Sequence, residues 1–173
     1  ACVLSHHRPP SFGAFAFGGL QSIFAGFFIL FLIDGRDYTD AEAGSAFAIS
    51  AFTAVGARIF WGYLGSTLFS ARTILGGIGI FGTLAAVLTS FYNSSWSYSI
   101  ILWVAILYNI TSLSWHGILL AEIARLSPPD RVGGVTGGVL SFTSVAMMIY
   151  PALYGGLLAI TDSYSVGFLV CSI

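Results

Sequence analysis

Lysine is absent from this chain, and charged residues of every kind are scarce. Only 8% of the 173 residues are charged, against about a quarter in soluble proteins. So little charge excludes a solvent-exposed globular surface, which needs many charged side chains of both signs. The net charge of −1 and the lack of a basic stripe exclude nucleic acid as a partner.

Cysteine is equally scarce, since Cys2 and Cys171 stand alone at opposite ends of the chain. Neither belongs to a Cys-x-x-Cys pair, and no histidine accompanies them at the spacing of metal ligands. The glycine-rich segment 133–138 lacks the lysine and the spacing of a phosphate-binding loop. The sequence therefore indicates no metal site and no cofactor.

Long apolar stretches take the place of the missing charge. Hydrophobic residues make up 57% of the chain and aromatic residues 16%, and the mean hydropathy is +0.90. A helix needs about 20 residues to cross a bilayer, and these stretches are too long for barrel strands. The sequence predicts an all-α, polytopic transmembrane helix bundle with helices at about 12–33, 43–64, 73–91, 98–123 and 132–160, and a partial helix at 166–173.

The connections between these stretches predict the topology. They are short, so successive helices are expected to be antiparallel neighbours. If alternate connections share a side, Arg36 lies alone on one face and the other five arginines lie on the opposite face. The positive-inside tendency makes the arginine-rich face cytoplasmic, and the first helix then starts there. Residues 1–11 are predicted to be a polar lead-in, and both ends of the chain are interpreted as cuts in a longer polypeptide.

Three segments go beyond a generic membrane helix. Residues 57–65 run into a short loop that ends at Arg72, and residues 115–133 run from Trp115 through Arg125 to a glycine pair. These resemble the end of the eighth helix with its following loop, and the tenth helix with its cytoplasmic exit, in transporters of the major facilitator superfamily. Segment 151–164 resembles the eleventh helix and outer loop of the same family.

The resemblance covers essentially the whole chain. It implies the carboxy-terminal half of a twelve-helix fold, with helices seven to eleven and the start of twelve at 12–173 and the end of the central cytoplasmic loop at 1–11. The expected function is secondary active transport of a small solute by alternating access. The expected partners are a small-molecule substrate, the amino-terminal half of the same transporter and membrane lipid, with a coupling proton or ion left open.

The loop after the second helix departs from the family pattern. Gly62 and Arg72 match it, but the residues where the family has an acid, a glycine and two arginines are Ser66, Thr67, Phe69 and Ala71. A non-transporting structural or sensory membrane domain therefore stays an alternative. The chain is rich in alanine and glycine and has no lysine. This composition favours a location in the cell membrane of a bacterium, its inner membrane.

Charged residues near the cytoplasmic helix ends are the first candidate site. An unpaired charge in a membrane helix costs at least about 2.5 kcal/mol, so Arg58 and Glu122 are predicted to pair. The resemblance implies that this pair, with Arg72, Arg125 and Arg131, closes the cytoplasmic gate. The alternative for Arg72 and Arg125 is that they reach the lipid headgroups and mark only the topology.

Polar residues deeper in the helices are the candidates for the substrate path. Gln21 and Asn109 lie near the middle of the first and fourth helices, where transporters of this kind bind their substrates. Hydrogen bonds between helices explain both residues equally well. Trp115 and His116 are the other candidates. His116 titrates near physiological pH and could relay a proton or contact substrate, although a packing role is the commoner one.

Two further interpretations concern a hinge and an enzyme. Pro151 and Gly155 are hinge candidates because proline removes a backbone hydrogen bond, with close helix packing as the alternative. His116 could act as a base for Ser112 or Ser114, but residues adjacent on one helix do not by themselves form a nucleophile, base and oxyanion site. The sequence therefore favours a transporter over an enzyme.

Overall fold

The fold consists of helices and short connections. The computed structural model describes residues 8–92 and 95–171, and within these residues no strand is formed. The helices are α1 (Arg8–Arg36), α2 (Asp40–Thr67), α3 (Ala71–Ser90), α4 (Tyr98–Ser112), α5 (Trp115–Leu126), α6 (Val132–Thr161) and α7 (Tyr164–Cys171).

Five helical segments of the described chain are long and apolar enough to cross a membrane. The shortest has 20 residues, which at 1.5 Å per residue span about 30 Å, the thickness of a bilayer's hydrocarbon core. The fourth segment contains both α4 and α5. The predicted all-α fold with several membrane-spanning helices is confirmed. That the chain forms one half of a larger transporter stays a prediction.

The antiparallel helices give the bundle two ends. At the first, here called the Arg125 end, α1, α3 and α6 begin and α2 and α5 end. Arg72, Arg125 and Arg131 lie there, and Arg36 lies at the opposite, Tyr38 end. Local capping fixes several helix ends. Thr39 and Glu42 form a reciprocal capping box at the start of α2, which satisfies two backbone N–H groups that have no helical acceptor.

Two separate apolar cores are stacked along the helix axes. The core at the Tyr38 end joins the second half of α1 to α2, α3, α4, α6 and α7, and includes Phe24, Phe28, Tyr108, Tyr154 and Phe168. The core at the Arg125 end joins the start of α1 to α3, α5 and α6, and includes Ala14, Ile78, Trp115, Leu119 and Val139. The boundary between the cores coincides with the boundary between α4 and α5.

Helix α1 lies very close to α6 because glycine occupies the contact. A Cβ atom built on Gly18 would lie 2.7 Å from Cγ2 of Thr143 and 3.2 Å from its backbone oxygen. A Cβ atom on Gly19 would lie 2.5 Å from the Tyr150 ring. Small residues allow backbones to approach in this way where no hydrophobic effect drives helices together.

The fourth predicted segment is confirmed as one span, Tyr98–Leu126, but a turn at Leu113 and Ser114 divides it into two helices. α4 ends at Ser112 and α5 begins at Trp115, and Leu113 donates its N–H to the Asn109 carbonyl. Thr111 turns its hydroxyl back onto the carbonyls of Leu107 and Tyr108. Hydroxyl side chains that bond to the backbone in this way compete with the helix and bend it.

The predicted lead-in is also shorter than expected. Residues 8–11 belong to α1, and proline is tolerated there because the first N–H groups of a helix have no intrahelical acceptor. Residues 1–7 lie outside the described residues. The predicted last helix begins two residues earlier, at Tyr164, and its residues 172 and 173 are likewise outside the described part.

Candidate functional site: the α4–α5 break and the groove beside it

The break between α4 and α5 carries the most unusual polar contact of the described chain. Nε of Arg58, on α2, donates a hydrogen bond of 3.1 Å to the carbonyl oxygen of Leu113. Leu113 is the C-cap residue of α4, so its carbonyl oxygen lies at a helix end. Arg58 therefore binds α2 to the point where the fourth membrane segment is interrupted.

Arg58 lies well inside its helix. It precedes the end of α2 at Thr67 by about nine residues, or about 14 Å at 1.5 Å per residue. The two ion pairs within the described residues join Glu122 to Arg125 and Asp130 to Arg131. Arg58 has a carbonyl oxygen as its partner and no carboxylate.

The predicted pair between Arg58 and Glu122 is not formed in this structure. Glu122 is instead held by Arg125, one turn along α5, through bonds of 2.9 Å to Nε and 2.8 Å to Nη2. Residues three apart on a helix are surface neighbours, so this pair forms within α5 without any contact from another helix. The Glu122 side chain is 11% exposed and that of Arg125 is 71% exposed.

The predicted gate cluster is brought together only in part. Glu122 and Arg125 pair at the Arg125 end, where α3 also begins with Arg72 in its first turn, and these three residues are here called the charged group. Arg131 lies beyond it and pairs with its neighbour Asp130 at 3.6 Å, where both side chains are exposed. Arg58 is separate from this group, about nine residues before the end of α2, and its side chain is exposed.

A groove of about 370 Å³ lies between α2 and α5, with Glu122 and Arg125 among its lining residues. One wall is α2, through Gly62, Gly65 and Ser66, and the floor at the helix ends is the start of α3, through Ser70 and Ala71. The other wall is α5, through Gly117, Ile118, Ala121, Glu122 and Arg125. Gly62 and Gly117, which line the groove, follow Arg58 and Leu113 by four residues, about one helical turn, on α2 and α5 respectively.

Trp115 and His116 lie on α5 next to the break. The Trp115 side chain is fully buried, and its ring stacks on Phe17 at 5.6 Å and on His116 at 3.8 Å. The Trp115 indole Nε1 has no hydrogen-bond partner among the described residues. His116 is half-buried. These two substrate-path candidates therefore lie in the first turn of α5, directly after the break.

Asn109 and Gln21 have different surroundings. Asn109 is buried on α4 and its Nδ2 donates a 2.6 Å hydrogen bond to the hydroxyl of Ser50 on α2. This is the interhelical hydrogen bond that the sequence allowed as an alternative to a substrate role. Gln21, on α1, has a buried Oε1 that accepts no hydrogen bond from the described residues.

A double-mutant cycle tests the contact between Asn109 and Ser50. We expect the single changes Asn109→Ala and Ser50→Ala to lower the free energy of unfolding, and the double mutant to lose less than the sum. The expected coupling is about 0.6 to 1.7 kcal/mol, the range measured between membrane helices. Chemical unfolding of the full-length protein in mixed micelles gives the four values, and strictly additive losses would contradict the bond.

Among the described residues, no contact supports the hinge interpretation or the enzyme interpretation. α6 runs unbroken from Val132 to Thr161 through Pro151, and a Cβ on Gly155 would meet open space. The hydroxyls of Ser112 and Ser114 are buried without a hydrogen-bond partner among the described residues, so neither bonds to His116. The described residues contain no group of three His, Cys, Asp or Glu side chains placed to hold a metal ion.

The chain matches no protein-family model, no curated protein and no solved structure. The sequence resemblance and the geometry of the site are therefore what supports a functional proposal. The sequence reasoning missed Ser50, the Leu113 carbonyl and the groove. Gly62 with Gly65, and Gly117 with Ala121, are pairs of small residues at helical spacing and were the available signal for the groove.

Proposed function

We propose that this chain is part of a secondary active transporter that moves a small solute across the membrane by alternating access. The observation that carries the proposal is the hydrogen bond of Arg58 to the Leu113 carbonyl at the break in the fourth segment. Ionisable residues inside membrane helices mark substrate and ion pathways. Interrupted helices are a usual construction of transporter binding sites.

The resemblance to the major facilitator superfamily supports the same proposal. It also suggests which helices of the transporter the chain supplies and which residues close its gate. The chain would be the carboxy-terminal half, helices seven to eleven and the start of twelve, and the amino-terminal half would form the second wall of the path. Arg72, Glu122 and Arg125, with Arg131 beyond them, would close the cytoplasmic gate. Under this proposal the Arg125 end faces the cytoplasm, and the membrane is a bacterial inner membrane.

Flux measured with the full-length protein in proteoliposomes tests this function. A panel of labelled carboxylates, amino acids and sugars is offered with and without a proton gradient. We expect saturable uptake of an unchanged solute, and we expect Arg58→Gln to reduce it by at least about tenfold, the size of one charge-assisted hydrogen bond.

The other outcomes separate the rival functions. Chemical conversion of a solute without net uptake would support a membrane-embedded enzyme. Folded protein that neither converts nor carries any member of the panel would support a structural or sensory domain. Gly76→Leu is the matched control, because Gly76 is exposed on α3 and a Cβ there meets nothing within 4 Å.

A further inference from the structure

We propose that one exposed face of α2 packs against a further membrane helix, which carries an aspartate or glutamate near its middle as the counter-charge of Arg58. This surface, here called the Arg58 face, consists of exposed residues at helical spacing: Val55, Arg58, Ile59, Gly62 and Ser66. The inference concerns how the helices pack, and it holds whether or not the protein carries a solute.

The guanidinium group of Arg58 is held near the middle of a membrane span. Its Nε donates a hydrogen bond of 3.1 Å to the carbonyl oxygen of Leu113. In the fourth span, Tyr98–Leu126, Leu113 comes 15 residues after the first residue and 13 before the last. At 1.5 Å per residue, its carbonyl group is about 20 Å from either end of the span. Helical side chains tilt towards the start of their helix, so the Arg58 head lies further from the Arg125 end than its Cα does.

No carboxylate of the described residues neutralises this charge. The chain has seven aspartates and glutamates, all of them among the described residues, and each lies within about one turn of a helix end or in a connection. The two ion pairs of the described chain join Glu122 to Arg125 and Asp130 to Arg131. A second copy of these helices has its acids at the same positions, so it offers no carboxylate at the level of Arg58 either.

A charge at this depth needs a partner. Ionisable side chains inside membranes are costly, and they pair with one another or line water-filled cavities. Lipid chains offer no counter-charge, and the bond to Leu113 keeps the guanidinium group from extending to the headgroups. Arg58 still has four N–H donors on its two terminal nitrogens, which suit a carboxylate through two parallel hydrogen bonds. The charge therefore favours an acidic side chain on a neighbouring helix.

The rest of the Arg58 face suits a helix as its partner. The side chains of Val55 and Ile59 are 55% and 73% exposed, so apolar area is available on both sides of the charge. A Cβ added to Gly62 would meet nothing within 4 Å, and small residues let a neighbouring helix backbone approach closely. Gly62 and Ser66 also line the groove between α2 and α5, which is open to side chains of the partner.

Site-specific photo-cross-linking in the full-length protein tests the inference. The reactive residue p-benzoylphenylalanine replaces Ile59 on the Arg58 face or, as the control, Ile80 on α3, whose side chain is 72% exposed. Membranes that contain the protein are irradiated, and the cross-linked peptides of the purified product are identified by mass spectrometry. We expect the probe at Ile59 to react with a membrane helix that has an aspartate or glutamate within one turn of the attachment point. The probe at Ile80 should not react with that helix.

Reversing the charges then tests the ion pair itself. Arg58→Glu should lose most of the cross-link from position 59 and lower the thermal midpoint, whereas Arg58→Lys should keep most of both because the charge is retained. Replacing the partner's carboxylate by arginine in the Arg58→Glu protein should restore the cross-link and the midpoint. Arginine placed one turn away on the partner helix should restore neither.

Three results would overturn the inference. They are reaction of the probe at Ile59 with lipid alone, reaction with a helix that has no carboxylate near the attachment point, and failure of the charge exchange to restore what Arg58→Glu loses. The first would mean that the Arg58 face is turned to the bilayer, and the other two that Arg58 has no counter-charge in protein. Absence of flux in a protein that passes these tests would contradict the proposed function and leave this inference standing.

Discussion

Replacing Trp115 by alanine is expected to destabilise the protein by about 3 to 5 kcal/mol, the usual cost of removing a buried aromatic ring. Trp115 is fully buried in the core at the Arg125 end and is stacked between Phe17 and His116. The change leaves a cavity in the core that joins α1, α3, α5 and α6. The free energy of unfolding of the full-length protein in mixed micelles measures the loss.

Trp103 provides the matched control. Its side chain is 71% exposed on α4, so Trp103→Ala should change the free energy of unfolding by less than about 0.5 kcal/mol, the usual range for surface substitutions. Trp115→Phe then separates packing from a role in the path. The Trp115 Nε1 has no partner among the described residues, so phenylalanine should restore most of the stability. Loss of flux at restored stability would show that substrate uses the indole N–H.

Replacing Gly18 by valine is expected to prevent α1 from packing on α6. The new Cβ would lie 2.7 Å from Cγ2 of Thr143 and 3.2 Å from its carbonyl oxygen. The backbone atom cannot move aside by a rotamer change, so the helices must separate. Overpacking of this kind costs about 1 to 3 kcal/mol, and more where backbone must move.

The control for this prediction lies on the same helix. A Cβ on Gly26 meets nothing within 4 Å, so Gly26→Val tests the effect of valine on α1 without the clash. The yield of monodisperse protein and its thermal midpoint are compared for the two variants. Equal midpoints would mean that α1 and α6 are not packed as closely as described.

The helices were predictable because lipid imposes a simple rule. Every spanning segment must be long and apolar, and that property is visible in composition alone. The split at Leu113 was not predictable in the same way. The residues around it, 111–117, are more polar than the apolar segments on either side, but serine and threonine hydroxyls are common inside membrane helices and do not by themselves mark a break.

The candidate site was predicted less well than the fold. The predicted pair of Arg58 and Glu122 was based on the depth of both residues in the membrane. Depth does not show in which direction each side chain points around its helix. The pair that forms joins Glu122 to Arg125, three residues along the same helix, because such neighbours meet without any tertiary contact; this spacing was a signal that the sequence analysis did not use. The bond from Asn109 to Ser50 joins distant parts of the sequence, so only the packing of α4 on α2 reveals it.

The division of the interior into two cores has a consequence for how the protein opens. Residues buried in one core share few neighbours with the other, so each core forms a cooperative unit of its own. Amide hydrogens of α5 and the start of α3 should then exchange with solvent as one group, and those of α4 and the second half of α1 as another. Thermal fluctuation can loosen the layer that holds the groove while the opposite layer keeps its protection.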